Sequence, residues 1–162
     1  MYSNKRKLIL MLAFLLVLSA CGKGDGGEKG MAMADVLFEQ KNEFAGDASA
    51  DGALLKTLEI SKLGDYEIAL KTDSRPYALE IKFSERRVTA EELSAEMQAN
   101  ACILLALIEN ADEIRWNSSA DTGTGSQRLS VEDADKEYGD IKDYGTSSEK
   151  LRSLLTRMGY EQ

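Results

Sequence analysis

One pair of side chains in this sequence has the spacing of a serine nucleophile and its activating base. Ser147 and Lys150 form a Ser-x-x-Lys motif, which on a helix places the hydroxyl and the amine on one face. The lysine would accept the serine proton, and the reaction would be acyl transfer. No Lys-Thr-Gly triplet follows the motif, however, and serine-rich segments are ordinary helix starts. We therefore interpret this segment as a helix start and not as a catalytic site.

The amino-acid composition excludes several further kinds of catalytic and metal site. The chain of 162 residues contains no histidine, which excludes Ser-His and Cys-His nucleophile pairs and histidine-ligated zinc. Catalysis by carboxylates or by lysine stays open. Its two cysteines are Cys21 and Cys102, and Cys102 lies in an apolar helical stretch, where a cysteine is usually a small buried residue. We predict no catalytic residue, no metal site and no cofactor.

Two further patterns match known sites poorly. Residues 121–132 have the length of a calcium-binding loop, but glycines occupy two ligand positions and Ser126 replaces the central glycine. The triplet Asn117-Ser118-Ser119 is a glycosylation sequon only in a eukaryotic secretory route. Neither pattern supports a site.

Cys21 offers a different chemistry, the attachment of lipid to a thiol. Three cations at positions 5–7 precede an apolar run that starts at Leu8 and ends in Leu18-Ser19-Ala20-Cys21. This layout is that of an export signal, and the run is shorter than the roughly 20 residues of a membrane-spanning helix. Its end resembles the lipobox of bacterial lipoproteins, in which a signal peptidase cuts before a diacylglyceryl-modified cysteine. The resemblance implies a lipid anchor on Cys21; the alternative is an uncleaved N-terminal anchor.

These features divide the chain into three parts. Residues 1–20 are predicted to be a lipoprotein signal peptide, residues 21–32 the lipidated cysteine with a flexible glycine-rich tether, and residues 33–162 a single globular domain. Two acyl chains anchor a protein stably, whereas one is marginal. The expected location is therefore the extracytoplasmic face of the cell membrane, with the lipid on Cys21 as the contact with the membrane.

The chain that follows residue 20 is strongly acidic. It carries 17 of the 20 basic residues and all 28 acidic ones, a net charge of −11. Such a chain repels nucleic acid and anionic lipid headgroups, so we expect no nucleic-acid partner.

The domain has the sequence pattern of an α+β fold. Residues 66–70 and 77–83 alternate apolar with polar side chains, which predicts two half-buried strands joined by the loop at residues 73–76. Pairing of Thr72 with Tyr77 sets these further pairs: Leu70 with Leu79, Ile68 with Ile81, Tyr66 with Phe83, and Glu67 with Lys82. Ile114 and Trp116 predict a third strand, and residues 127–129 a short fourth.

Helices are predicted from their capping residues. Thr89 and Glu92 have the capping-box spacing and open a long central helix that runs to about Asn110. Four short helices are expected at residues 34–44, after Asp47 or Ser49, after Ser130, and from Thr146 to Gly159. The predicted fold is a small antiparallel sheet of three or four strands, covered on one face by helices that include the long one.

Two segments resemble the bacterial family called domain of unknown function 4825. Phe44-Ala45-Gly46-Asp47-Ala48-Ser49 is similar to the family's pattern of an aromatic, a small residue and Gly-Asp-Asn-Ser, with Ala48 in place of the Asn. Residues 70–79 are similar to its Leu-x-Thr…Pro-Tyr-Gly-Leu hairpin, with Ala78 in place of the Gly. The resemblance implies a cell-envelope lipoprotein module of Gram-positive-type bacteria, with relatives attached to membrane sensor peptidases and with no assigned activity.

The turns of these two segments supply the candidate recognition patch, defined as Gly46, Asp47, Arg75 and Tyr77. A conformational interpretation assigns the glycine, aspartate and neighbouring proline to turn and cap formation alone. The functional interpretation makes Arg75 and Tyr77 a polar and an aromatic contact beside the Gly46 turn.

Three hypotheses for the function follow. The first is a non-catalytic binding or sensory module of the cell envelope, which would recognise an envelope peptide or glycan. The second is an envelope hydrolase that uses carboxylate or Ser/Lys chemistry. The third is a lipid-tethered accessory subunit of a membrane protein. We favour the first.

Overall fold

The two alternating segments form adjacent strands in a computed structural model that describes residues 32–118 and 126–160. Strand β1 (Gly64–Lys71) pairs antiparallel with β2 (Ala78–Arg86). The four pairs predicted from the apolar and charged positions are all present, which confirms the register. The pairing stops at Lys71 and Ala78, so the predicted pair Thr72–Tyr77 lies outside the strands, and the Arg75-Pro76 peptide bond in the connection is cis.

The other half of the sheet consists of β3 (Glu113–Ser118) and β4 (Gln127–Ser130), which form the predicted antiparallel pair. The strand order is β1-β2-β3-β4. The prediction of a purely antiparallel sheet is wrong, because β2 and β3 run parallel, with Leu79 opposite Ile114 and Ile81 opposite Trp116.

The parallel pair follows from the helix between these strands. Helix α3 (Ala90–Leu107) has 18 residues and is therefore about 27 Å long, close to the roughly 30 Å that a strand of nine residues spans. It returns the chain to the end of the sheet where β2 began, and parallel strands require such a crossover. Thr89 and Glu92 form the predicted capping box at its start.

Helix α3 is the centre of the core, as predicted. Every side chain from Asn100 to Leu107 is buried, and the inward side chains of β2 and β3 belong to the same hydrophobic cluster. Cys102 is 2 % exposed, which confirms that it is a core residue. The α+β class, with a sheet and a long helix packed against it, is thus confirmed.

Shorter helices surround α3. Before the sheet lie α1 (Met33–Phe38), α2 (Ala48–Thr57) and a 3₁₀ turn (Ile60–Lys62). After it lie α4 (Val131–Tyr138), α5 (Ile141–Tyr144) and α6 (Ser148–Met158). None of the helices in the two described ranges has the length and hydropathy that a bilayer crossing requires.

Several capping predictions are confirmed and three boundaries are corrected, the first being the end of α3, which lies at Leu107 and not near Asn110. Asp47 caps α2 and Ser130 caps α4, whereas α6 is capped by Ser147 and not by Thr146. Helix α1 ends at Phe38, six residues before the predicted end, because Asn42 leaves the helix to form a bridge with Ile108. Phe44 consequently lies on the surface, with 59 % exposure.

Candidate functional site

The carboxyl end of α3 is the point at which several loops are fixed. Backbone bonds join Asn42 to both sides of this end, from Asn42 N to Leu107 O (3.0 Å) and from Glu109 N to Asn42 O (2.8 Å). The Asn110 side chain accepts a bond from Ala45 N at 2.7 Å. The last carbonyls of a helix lack partners inside the helix, so the end of a buried helix must find them elsewhere. Here the segment 41–47 supplies one of them.

The side chain of Asn42 organises the same segment. Its amide nitrogen donates to Phe44 O at 2.8 Å and to Asp51 Oδ1 at 2.9 Å, and its oxygen accepts from Phe44 N at 3.1 Å. Asn42 is 6 % exposed and Asp51 is fully buried. The exposed Phe44 therefore stands on a buried polar network.

Asp112 fixes the second half of the patch. One of its carboxylate oxygens accepts from Tyr77 N at 2.7 Å, and the other forms an ion pair with the Arg75 guanidinium. The same guanidinium lies over the Tyr77 ring, with its carbon 5.0 Å from the ring centroid. The Arg75 side chain is 66 % exposed, so its guanidinium is held by protein groups on one side and faces solvent on the other.

The structure therefore places the four predicted patch residues as two pairs. Arg75 and Tyr77 are in direct contact. Asp47 accepts bonds from Ser49 N (3.0 Å) and Ala50 N (3.1 Å), and is thus a helix cap. Gly46 lies against Thr72, the residue that follows β1. Asn110 bonds Ala45 N and Asp112 bonds Tyr77 N, so one short segment holds the backbone beside both pairs.

A cleft that the sequence does not reveal lies at the same end of α3. Its volume is ≈ 300 Å³, and it is lined by Lys41, Ala106, Glu109, Asp140, Lys142, Asp143 and Thr146. The Lys142 amine donates to Leu105 O and Ile108 O, both at 2.7 Å. It therefore caps the carboxyl end of α3, where a cation is favoured. A single lysine in a short polar helix carries no sequence signal for this position.

Burial and the neighbouring charges shift the pKa of the Lys142 amine in opposite directions. Burial lowers the pKa of Lys142 to about 8, while the carboxylates of Asp112, Glu109 and Asp135 raise it and Arg75 lowers it again. The charges of Asp112 and Arg75, which form an ion pair in the patch, thus also act on the amine in the cleft.

Comparison with family models identifies the range that carries the patch. Residues 37–132 match the domain of unknown function DUF4825, and this range is more than half of the chain. The chain belongs to the DUF4825 family. Neither the curated proteins nor the solved structures contain a match.

The DUF4825 range contains the whole of the sheet, α3, the four patch residues and Asp112. It ends before α5, so Lys142 and most of the cleft lining lie outside it. The geometry of the patch is therefore built from the family range, whereas the cleft also needs the helices that follow.

The other sequence candidates of this DUF4825 chain have structural roles. Ser147 Oγ accepts from Lys150 N at 3.3 Å, and the Lys150 amine pairs with Asp143 at 2.6 Å. The segment is thus a helix start, as we interpreted it. Burial raises the pKa of the Cys102 thiol to about 12, with the Glu137 charge acting in the same direction.

The last candidates concern metal and lipid. Within residues 32–118 and 126–160, the acidic and cysteine side chains form no group of three that would hold a metal ion. The 121–132 segment, which matches a calcium loop poorly, falls partly outside these ranges, and Cys21, the predicted lipid acceptor, lies wholly outside them.

Proposed function

We propose that this protein is a lipid-anchored, extracytoplasmic binding or sensory module, and that the candidate recognition patch contacts its partner. The location is supported by the cationic, apolar and small-residue order of residues 5–20 and by the cysteine that follows. The partner is an envelope peptide, a glycan or a membrane protein.

The observation that carries the proposal is the arrangement of Arg75. Its guanidinium is exposed, yet it is oriented by Asp112 on one side and by the Tyr77 ring on the other. An exposed arginine normally loses side-chain entropy when it binds, and prior ordering removes part of that cost. Arginine and tyrosine are also enriched among residues that dominate binding energy. A pre-ordered pair of this kind suits recognition of an anionic or polar group.

Substitution of Arg75 or Tyr77 by alanine is expected to weaken binding about tenfold or more while leaving the fold intact. For Arg75→Ala the folding cost is small because a largely exposed ion pair contributes at most about 1 kcal/mol. Tyr77 is only half-buried, so its truncation leaves the core intact. Isothermal titration with envelope peptides, muropeptides and β-lactams would find the ligand, and a pulldown from envelope extract would find a protein partner. Both variants are then measured with whichever partner is found.

Arg87→Ala is the matched control, because Arg87 is also an exposed arginine paired with an aspartate, Asp65. It lies at the opposite end of the β1–β2 pair. Equal binding by wild type, Arg75→Ala and Tyr77→Ala would remove the patch from the proposal. A loss that Arg87→Ala shares would show a general electrostatic effect.

A second candidate function, an envelope hydrolase, has one observation in its favour. Lys142 combines a pKa of about 8 with a position in a cleft that also contains Glu109, Asp140 and Asp143. A lysine with a lowered pKa can act as a general base.

Lys142→Arg is the variant that tests this candidate, because arginine keeps the cationic cap but does not deprotonate in proteins. If the lysine is the base, muropeptide hydrolysis will rise with pH through about 8 and will be lost in Lys142→Arg. Lys41→Arg, in the same cleft, will retain it. Absence of turnover by the wild type at pH 9 would eliminate the hydrolase.

A further inference from the structure

Asp51 is a buried carboxyl group with incomplete hydrogen bonding. The residue is fully buried in α2. Its Oδ1 accepts from the Asn42 amide at 2.9 Å, while its Oδ2 has no partner among the residues that the structure describes. Buried polar atoms are nearly always bonded, and an ionised carboxylate needs more than one neutral donor. The site therefore favours a neutral carboxyl over a charged one.

The charged groups on the neighbouring elements do not compensate for this burial. Helix α1 and the 3₁₀ turn pack against α2, but their charged side chains are engaged elsewhere, Asp35 with Arg152 and Lys62 with Glu59. In the segment before α2, Lys41 pairs with Glu109 at 3.6 Å, and Glu39 and Glu43 are exposed. The charge that acts on Asp51 is that of Asp47, which repels a second carboxylate.

Asn42 connects this carboxyl group to the surface. One side-chain amide bonds both Asp51 and the two backbone polar groups of Phe44. The segment Phe44–Asp47 follows directly and contains Gly46 and Asp47 of the patch. The Asn42 bond itself favours the ionised form, so the disturbance must begin at Oδ2, which has no donor among the described residues. A buried carboxylate that draws in water has to open the packing around it, and Asn42 transmits that opening to the bonds that hold Phe44.

We propose that Asp51 is a proton switch that orders the segment Phe44–Asp47 when it is neutral and loosens that segment when it is ionised. The recognition surface would thereby respond to the pH outside the membrane. This biological meaning rests on the proposed function, whereas the switch itself does not.

The direction of the titration agrees with the geometry. Burial, with a smaller contribution from Asp47, raises the pKa of Asp51 from 3.8 to about 6, against the lowering effect of the Asn42 bond. A group whose pKa is higher in the folded state stabilises that state at pH below 3.8 and loses the contribution as the pH rises through 6. The shift corresponds to a roughly 100-fold change in the local ordering equilibrium between these limits. Mild acid therefore orders the segment and neutral pH loosens it.

The test measures two properties of the full chain in detergent micelles, without any ligand. Carbon-13 NMR of labelled aspartate would follow the Asp51 carboxyl, for which we expect a midpoint near pH 6. Hydrogen exchange, corrected for intrinsic rate, would compare the protection of the Phe44 and Asp47 amides at pH 5 and pH 7.5. We expect protection to fall tenfold or more at the higher pH.

Asp51→Asn keeps an acceptor for Asn42 and removes the charge, so its protection is expected to be independent of pH. Asp47→Asn is the matched control, because asparagine also caps helices and the switch should remain. An Asp51 midpoint near pH 4, or wild-type protection that does not change with pH, would overturn the proposal. The NMR titration and the hydrogen exchange of the wild type together decide the matter even if Asp51→Asn fails to fold.

These outcomes are separable from those of the proposed function. A working switch in a protein that binds no envelope ligand would contradict the binding role alone. An unchanged segment in a protein that binds through Arg75 would contradict the switch alone.

Discussion

Replacement of Cys21 by serine is expected to move the protein from the membrane fraction to the soluble fraction. The reason is that each buried CH₂ of an acyl chain contributes about 0.8 kcal/mol, so a diacylglyceryl group holds a protein stably. A serine hydroxyl does not accept this lipid in place of the thiol. The measurement is fractionation of cells expressing either form, combined with labelling by radioactive palmitate. We expect the label in the wild type and none in Cys21→Ser.

Cys102→Ala provides the control for this experiment, since Cys102 is the second cysteine of the chain and is buried in the core. It should retain both the label and the membrane fraction. If wild type takes up no palmitate, and Cys21→Ser stays equally bound to membranes, the lipid anchor is refuted. The uncleaved N-terminal anchor would then be the better explanation.

Local patterns in the sequence predict the parts of the fold that depend on neighbouring residues. The β1–β2 register follows from the alternation of residues 66–70 and 77–83, because a slip of one residue would expose the apolar face. The capping box at Thr89 needs only residues three positions apart. Both features can be predicted from the sequence because the two partners of each interaction lie within about 20 residues of one another.

Features that depend on packing between residues far apart in the sequence cannot be predicted from local patterns. The parallel pairing of β2 with β3 is set by the crossover of α3, and no side chain of either strand specifies it. The alternation of β3 is the same for either direction. The early end of α1 also depends on a distant contact, because Asn42 pairs with Ile108, 66 residues later. Helix propensity alone would continue α1 to Phe44, but the tertiary contact of Asn42 ends the helix earlier.

The candidate site likewise contains some residues that the sequence identifies and others that only the structure reveals. Turn chemistry singles out Gly46, Asp47, Arg75 and Tyr77, but it does not show that Asp112 orients two of them. Asp51 appears in the sequence as an ordinary acidic residue in the first turn of a helix, where a carboxylate is favoured. Only its burial beside Asn42 distinguishes it.

Gly145→Ala is expected to destabilise the domain by about 3 kcal/mol, because a β-carbon at this position would occupy the space of the α3 backbone. The added atom would lie 1.8 Å from Ala106 O and 2.8 Å from Ala106 C, distances that side-chain β-carbons do not reach. Both contacts are backbone atoms, so no rotation of a side chain relieves them. The melting temperature should fall by about 10 °C in thermal unfolding followed by circular dichroism.

Gly52→Ala is the matched control, because a β-carbon there meets none of the described atoms within 4 Å and the residue lies inside α2. Alanine should stabilise that helix by about 0.5–1 kcal/mol. Gly145 has a φ of −83°, which any residue adopts, so the predicted loss at Gly145 is a packing effect and not backbone strain. Relief of the overlap requires α5 to move away from α3, and this movement would also withdraw Lys142 from Leu105 O and Ile108 O. A melting temperature equal to that of the wild type would show that α5 does not approach α3 this closely, and the cleft between them would lose its support.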